Sequence, residues 1–248
     1  MLPSLRSVAV RPGGSSIVKP NGSDGPHVFV DDLECIQLYA QDHAHLTRSL
    51  RLRPGDAFTA CDGRGSWRVC RLGRSADTAC EPDGEVVFVV PVLPKLTVGY
   101  ALIKGGRPEL ITQKVTELGV DAIVPFVAER SVVRWDIERS ARHIERLRRV
   151  ARESAMQSRQ VRLPEIGEVA DFRCLVSQEG TALAHITGVP ISLQHPTILV
   201  GPEGGWSAEE CTQAPTVCLG DSVLRSETAA ITAAALLTAL RHGVSSSR

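Results

Sequence analysis

The sequence predicts an α/β protein in which a parallel-sheet domain follows a smaller, β-rich one. Residues 96–103 and 122–127 are apolar, strand-like runs separated by an amphipathic helix over 109–118. Strand, helix, strand is by default a right-handed βαβ unit. Residues 197–210 and 216–240 each pass from a β-branched run through a glycine loop into a helix. Ahead of residue 94, short strands alternate with turn signals about every ten residues, the rhythm of a small β-barrel.

In chain order, residues 1–26 carry Pro12-Gly13-Gly14 and a proline- and glycine-rich stretch over 20–26, and read as loop. Strands are expected at 27–30, 57–61, 66–72 and 85–90, with a brief helix at 42–50. Asp62-Gly63-Arg64-Gly65 supplies a hairpin turn between the second and third strands. Two prolines in Pro91-Val92-Leu93-Pro94 stiffen a linker and divide the chain into 1–92 and 93–248. In the second part, Lys104-Gly105-Gly106 ends the first strand. Leu110, Ile111, Val115 and Leu118 give the next helix its apolar side, and Gly119 stands at its C′ position. Residues 136–159 form the longest helix. Ile137, Ala141, Ile144, Leu147, Ala151 and Ala155 make one stripe, and Arg139, Arg142, Arg146 and Arg149 lie off it on an exposed basic face. Residues 173–184 give a helix or loop and then a short strand at 181–184, and 187–196 is a polar connection. The strand at 198–200 stops at Gly201-Pro202-Glu203-Gly204-Gly205, and Ser207 precedes Glu210 at capping-box spacing. After the strand at 216–219, Gly220 opens a second loop, and Ser226 is the expected N-cap of an alanine-rich helix.

Composition narrows the class. With 248 residues, 43% hydrophobic and 23% charged, the chain can bury a core like any soluble globular protein. No apolar run approaches the roughly 20 residues that span a bilayer, and residues 1–20 lack a signal-peptide core. Seven scattered cysteines without a C-x-x-C argue against a disulfide framework or a metal site, and for a cytoplasmic setting. The formal charge of zero hides an asymmetry. Residues 130–162 hold ten arginines against four acids, and 42–74 hold seven against three, whereas 163–248 hold nine acids against four arginines. Two basic stretches balanced by an acidic tail suggest a polyanion bound on one side.

The glycine loops let backbone approach a ligand closely, and two of them at the carboxyl ends of parallel strands can line a crevice. Neither G-x-G-x-x-G nor G-x-x-x-x-G-K-[ST] is present, which disfavours dinucleotide and P-loop nucleotide sites. The pair VGPEGGWSAEE and LGDSVLRSETAA resembles the signature of the RsmE-type ribosomal RNA uracil-N3 methyltransferases, of the SPOUT (trefoil-knot) superfamily. Upstream, LITQKVTELGV, ERSVVRW and ARESAMQSRQVRLPEI are similar to that family's motifs in the same order. HLTRSLRLRPGDAFTACDGRG resembles the core motif of its PUA-like amino-terminal domain. The likeness covers about residues 93–241 well. It fails at the amino terminus, which puts any role of Arg6 or Arg11 in question, and at the strand before Ala184-His185-Ile186.

The resemblance implies a SPOUT-type trefoil-knotted α/β domain at 93–248, preceded by a PUA-like β-barrel RNA-binding domain at 1–92. It implies S-adenosyl-L-methionine as cofactor, a homodimer through the alanine-rich helix, and N3 of a uridine in 16S ribosomal RNA, within an assembled small subunit, as target. No membrane or metal is expected. Cofactor contacts fall on Ala184, His185, Leu199, Val200, Gly201, Pro202, Gly204, Gly205, Leu219, Gly220, Val223, Leu224, Thr228 and Ala229. Arg225, Glu203 and Glu227 are the charged residues of the two loops and are the catalytic candidates; a dipole partner at the helix start is the alternative for Glu227. RNA contacts fall on Arg48, Arg51, Arg53, Lys114, Arg130, Gln157, Arg159 and Arg162, with a solvated charged barrel face as the alternative for the first three. A transferase acting on transfer RNA or a ribose 2′-oxygen, or a non-catalytic RNA-binding knot protein, stays open at this point.

Overall fold

The computed structural model describes residues 19–74 and 80–244, so the loop expected over most of 1–26 lies largely outside the described residues. The chain divides into two compact units, Met1–Pro91 with Met156–Arg162, and Val92–Ala155 with Leu163–Arg248.

In the first unit, β1 (His27–Phe29) runs parallel to β2 (Ala57–Cys61), which pairs antiparallel with β3 (Ser66–Arg71). Strands β4 (Glu81–Pro82) and β5 (Val87–Phe88) both pair antiparallel with β3. The turn between β2 and β3 closes because the Asp62 carboxylate accepts from the amides of Arg64 at 2.7 Å and Ser66 at 2.9 Å. The expected helix at 42–50 is split. Helix α1 (Ala40–Ala44) passes into a π-type turn, His45–Ser49, that buries Leu46. The strand expected over 85–90 shortens to β5. Val28, Ile36, Leu46, Phe58, Ala60 and Cys70 lead the core.

Residues 156–162 are bolted into this unit by side chains. His27 Nε2 lies 3.1 Å from the Gln160 carbonyl and Nδ1 lies 2.8 Å from Thr59 Oγ1. Burial lowers the His27 pKa to about 4, so the ring is neutral at pH 7. Arg159, at φ 55°, donates to the Gly25 carbonyl at 2.6 Å. Arg162 donates to the carbonyls of Val89, at 2.6 Å, and Arg64, and its guanidinium lies over the Phe88 ring.

The second unit is a parallel sheet with helices on both faces. Its elements are β6 (Thr97–Ala101), α2 (Arg107–Glu117), β7 (Ala122–Val127), α3 (Ile137–Gln157, whose last two residues belong to the first unit), β8 (Glu165–Ile166), β9 (Ala170–Asp171), α4 (Phe172–Val176), β10 (Thr181–Pro190), β11 (Thr197–Val200), α5 (Ala208–Cys211), β12 (Thr216–Cys218) and α6 (Ser226–Arg241). Strand order is β12-β10-β11-β6-β7-β8, with β9 also on β7. On one face Val98, Tyr100, Ile198 and Val200 meet α2, α3 and α6 through Ile111, Val115, Ile144, Leu147 and the alanines 229, 230, 233 and 234. On the other, Ala101, Phe126, Leu183 and Leu199 meet Phe172, Leu175 and Trp206. The split follows strand alternation, which sends successive side chains to opposite faces.

Three expectations are corrected here. Helix α2 buries Pro108, Ile111, Thr112, Val115 and Thr116, while Leu110 and Leu118 lie off that stripe and are exposed. The α3 stripe begins only at Ile144, since Ile137, 90% exposed, and Ala141, also exposed, do not reach the core. Residues 187–190 are strand rather than connection: Val189 and Pro190 rejoin β12 opposite Val217 and Cys218.

Candidate active site

Three chain reversals meet at the carboxyl ends of β10, β11 and β12 and enclose a cavity of about 480 Å³. The first wall comes from a break in pairing. Ala184 and Val189 of β10 both align with Val217, so residues 185–188 bulge outward and bring His185 and Ile186 to the cavity. The return to register needs Gly188, since a Cβ there would lie 2.5 Å from the backbone of Val217.

The second wall is the Gly201–Trp206 turn after β11. Gly205, at φ 68°, closes it by donating to the Pro202 carbonyl at 2.8 Å. Trp206 Nε1 donates to the Ala184 carbonyl at 3.0 Å, tying this wall to the first, and its ring stacks on Phe126. Ser207 then caps α5: its hydroxyl accepts from the Glu210 amide at 3.1 Å, and the Glu210 carboxylate accepts from the amides of Ser207 and Glu129. The expected capping box is therefore present.

Leu219 to Ser226 make the third wall. Ser226 is not the N-cap; Arg225 is, with no side-chain capping bond, and Ser226 opens the helix. The Ser226 hydroxyl instead donates to the Gly201 carbonyl at 2.9 Å, pinning α6 to the second wall.

Arg225 and Glu203 both line the cavity. Glu227, the second residue of α6, does not. Arg107, the first residue of α2, joins the two acids: Nη1 lies 2.6 Å from Glu203 Oε1, and Nε lies 3.7 Å from Glu227 Oε1. Among the described residues, the second oxygen of Glu227 is buried and has no hydrogen-bond partner.

Of the cofactor candidates, Ala184, His185, Val200, Gly201, Pro202, Gly205, Leu219, Gly220, Val223, Leu224 and Ala229 line the cavity. Three do not. Leu199 points to the opposite sheet face, among Phe126 and Trp206. The Gly204 carbonyl accepts from Arg130 at 3.2 Å, and Thr228 is exposed. Among the RNA candidates, Arg48, Arg51, Arg53 and Gln157 are exposed, whereas Arg159 and Arg162 hold backbone carbonyls within the first unit. Lys114 is paired with Glu117 at 2.8 Å.

Residues 91–238 match the RNA methyltransferase domain family, and residues 39–79 match the RNA methyltransferase PUA domain. The chain belongs to the RNA methyltransferase family. Within it, the chain is 33% identical over 215 residues to the ribosomal RNA small subunit methyltransferase E of Mycobacterium bovis, covering 76% of this chain and 80% of that one. The enzyme of the same name from Bacillus subtilis is 28% identical over 247 residues, covering 86% and 94%. The crystal structure of the Neisseria gonorrhoeae methyltransferase E, bound to S-adenosyl methionine, is 26% identical with a TM-score of 0.75, covering 87% of this chain and 97% of that one. The motif resemblance to the RsmE type is thereby borne out, and the fold is a SPOUT-class α/β domain with a PUA-like partner.

Sequence reasoning missed Arg107, Trp206, Ser226 and Gly188 as builders of this methyltransferase site. Trp206 stands beside the glycine loop and was legible as its anchor. Arg107 follows Gly105-Gly106, a pair that in sequence marks only the end of a strand. Gly188 carries no local signal, because its need arises from a strand thirty residues away.

Proposed function

We propose that this chain is an S-adenosylmethionine-dependent methyltransferase acting on N3 of a uridine in small-subunit (16S) ribosomal RNA. The reading is carried by the cavity at three parallel-strand ends, the position where open α/β sheets bind ligands. Its lining fits the cofactor. Ala184, Val200, Leu219, Leu224 and Ala229 offer an apolar bed for an adenine ring, and a volume of about 480 Å³ suits a small ligand. Gly220, at φ 155° with nothing within 4 Å of its Cβ direction, leaves backbone open to the ligand.

When bound, the cofactor supplies a methyl group on a positively charged sulfur. The protein's part is to hold donor and acceptor in line and to exclude water. Uracil attacks through N3 only after losing a proton, which leaves negative charge on the adjacent oxygens. Arg225 supplies a fixed positive charge and a planar fork of donors at the cavity rim to stabilise that charge. Glu203 faces the same cavity and is the candidate proton acceptor, oriented by Arg107.

The same reading makes the substrate an RNA within the assembled small subunit, the setting cytoplasmic, and the active form a homodimer. Calorimetry with S-adenosylmethionine, followed by mass spectrometry of ribosomal RNA from a deletion strain, tests it. Absence of cofactor binding, or an unchanged uridine methylation pattern, would overturn it.

A further inference from the structure

Helix α3 carries Arg139, Arg142, Arg146 and Arg149 at spacings of three, four and three, which puts all four on one face. All are exposed, and the face lies opposite the buried Ile144, Leu147 and Ala151. Ten residues of helix rise about 15 Å, so the row forms a straight cationic ridge. Ion pairing does not neutralise it. Arg146 Nε meets Glu109 Oε1 at 2.9 Å, but among the described residues Arg142 and Arg149 have no ion-pair partner. Glu138 and Glu153 flank the row without pairing to it.

At the amino-terminal end of the ridge the rings of Trp135 and His143 stack, 4.2 Å apart at 11°. Arg139 Nε donates toward His143 Nε2 at 3.5 Å. Burial, and after it the charge of Arg139, lowers the His143 pKa, which favours the neutral imidazole. A neutral ring on an indole, beside arginines, is the arrangement that stacks nucleobases in single-stranded RNA while cations track the phosphates. Ion pairs through α2 connect the ridge to the cavity wall: Arg146 holds Glu109, and Arg107, two residues earlier, holds Glu203 at the cavity.

We propose that this face of α3, with the Trp135–His143 stack at its end, is an RNA-docking ridge that leads substrate toward the cavity. The partner class rests on the methyltransferase reading. Its location narrows the basic stretch over 130–162 to the exposed face of α3, since Arg159 and Arg162 already serve backbone carbonyls.

The test uses the full chain and a transcribed fragment of small-subunit ribosomal RNA, titrated at several salt concentrations without cofactor. The double variant R142A/R149A should bind more weakly, with a slope of log K against log salt shallower by about 1.5, since each lost phosphate contact removes roughly 0.7–0.9. RNA should quench tryptophan fluorescence in the parent chain, and W135F should lose that quench although Trp67 and Trp206 remain. W135L should lose affinity by about 5- to 100-fold. Calorimetric binding of S-adenosylmethionine should be unchanged in every variant, and its absence in the parent chain would fault the methyltransferase reading rather than the ridge. An unchanged salt slope in folded R142A/R149A would overturn the proposal and point to an acidic protein surface as the partner of this face.

Discussion

The two glycine loops around the cavity share a grammar but not a mechanical state. The 201–206 loop is fastened on every side. Trp206 holds the Ala184 carbonyl, Ser226 holds the Gly201 carbonyl, Arg107 grips Glu203, and a capping box follows at once. The 219–225 loop is held at its ends, where Leu219 and Leu224 pack on the core, and is open between them: Val223 is 89% exposed, Asp221 and Ser222 are exposed, and no described atom lies within 4 Å of a Gly220 Cβ. A prebuilt wall loses little entropy when a ligand arrives, whereas a loose wall must be ordered by it. The contrast predicts shape recognition by the first loop and closure over the ligand by the second, which carries Arg225.

The largest effect should come from that charged residue. Arg225→Ala is expected to lower turnover by roughly 10²–10³-fold, the loss typical of removing one donor to a developing oxyanion. Arg225→Lys should recover only part, because an ammonium keeps the charge without the fork. Calorimetry should find S-adenosylmethionine affinity little changed in both. Normal methylation by Arg225→Ala at saturating RNA would take the chemistry away from the loose wall and make Glu203 the next residue to test.

The glycines come next. From sequence, Gly201→Val and Gly220→Val should act alike, each placing a side chain in the donor pocket. The structure separates them. A Cβ on Gly201 would stand 3.0 Å from the Trp206 indole, so valine must displace the ring that ties the two walls together. A Cβ on Gly220 meets open space, and the cost there is a φ of 155°, with strain of about 1–3 kcal/mol. Both variants should lose cofactor affinity, but Gly201→Val should show the larger fall in Tm by calorimetry. Equal falls would erase the distinction between the walls.

What was legible follows from where the determining contacts lie. Strand runs such as 57–61 and 122–127 were visible because alternation, β-branching and flanking turns are local in sequence. The capping box at Ser207 and the C′ role of Gly119 were visible for the same reason. The bulge at 185–188 was not, since the break in β10 is decided by Val217 on another strand. Nor was Arg107, whose partners Glu203 and Glu227 lie about a hundred residues on. The roles of Arg159 and Arg162 in the first unit were hidden likewise, and only the family resemblance gave their segment a meaning. Composition showed a basic stretch at 130–162 without telling which arginines hold carbonyls and which face solvent.

The smallest effect sharpens the comparison furthest. Ser226 stands where a sequence-based reading puts an N-cap, and there its hydroxyl would accept from helix amides. In the structure it donates to the Gly201 carbonyl at 2.9 Å, one of the ties that keep the first loop rigid. Ser226→Ala removes the donor and leaves a half-buried carbonyl short of a partner, a loss of about 1–2 kcal/mol. Urea unfolding should show a lower midpoint with an unchanged slope, and cofactor affinity should fall a few-fold as the first wall loosens. Ser226→Asp distinguishes the two roles. Aspartate is among the best N-caps, but an ionised carboxylate has no proton to give a carbonyl. It should be no more stable than Ser226→Ala, and less so if the two oxygens repel. Full recovery of the midpoint by Ser226→Asp would make residue 226 a cap after all, and the first loop would then be held by Trp206 and Arg107 without α6.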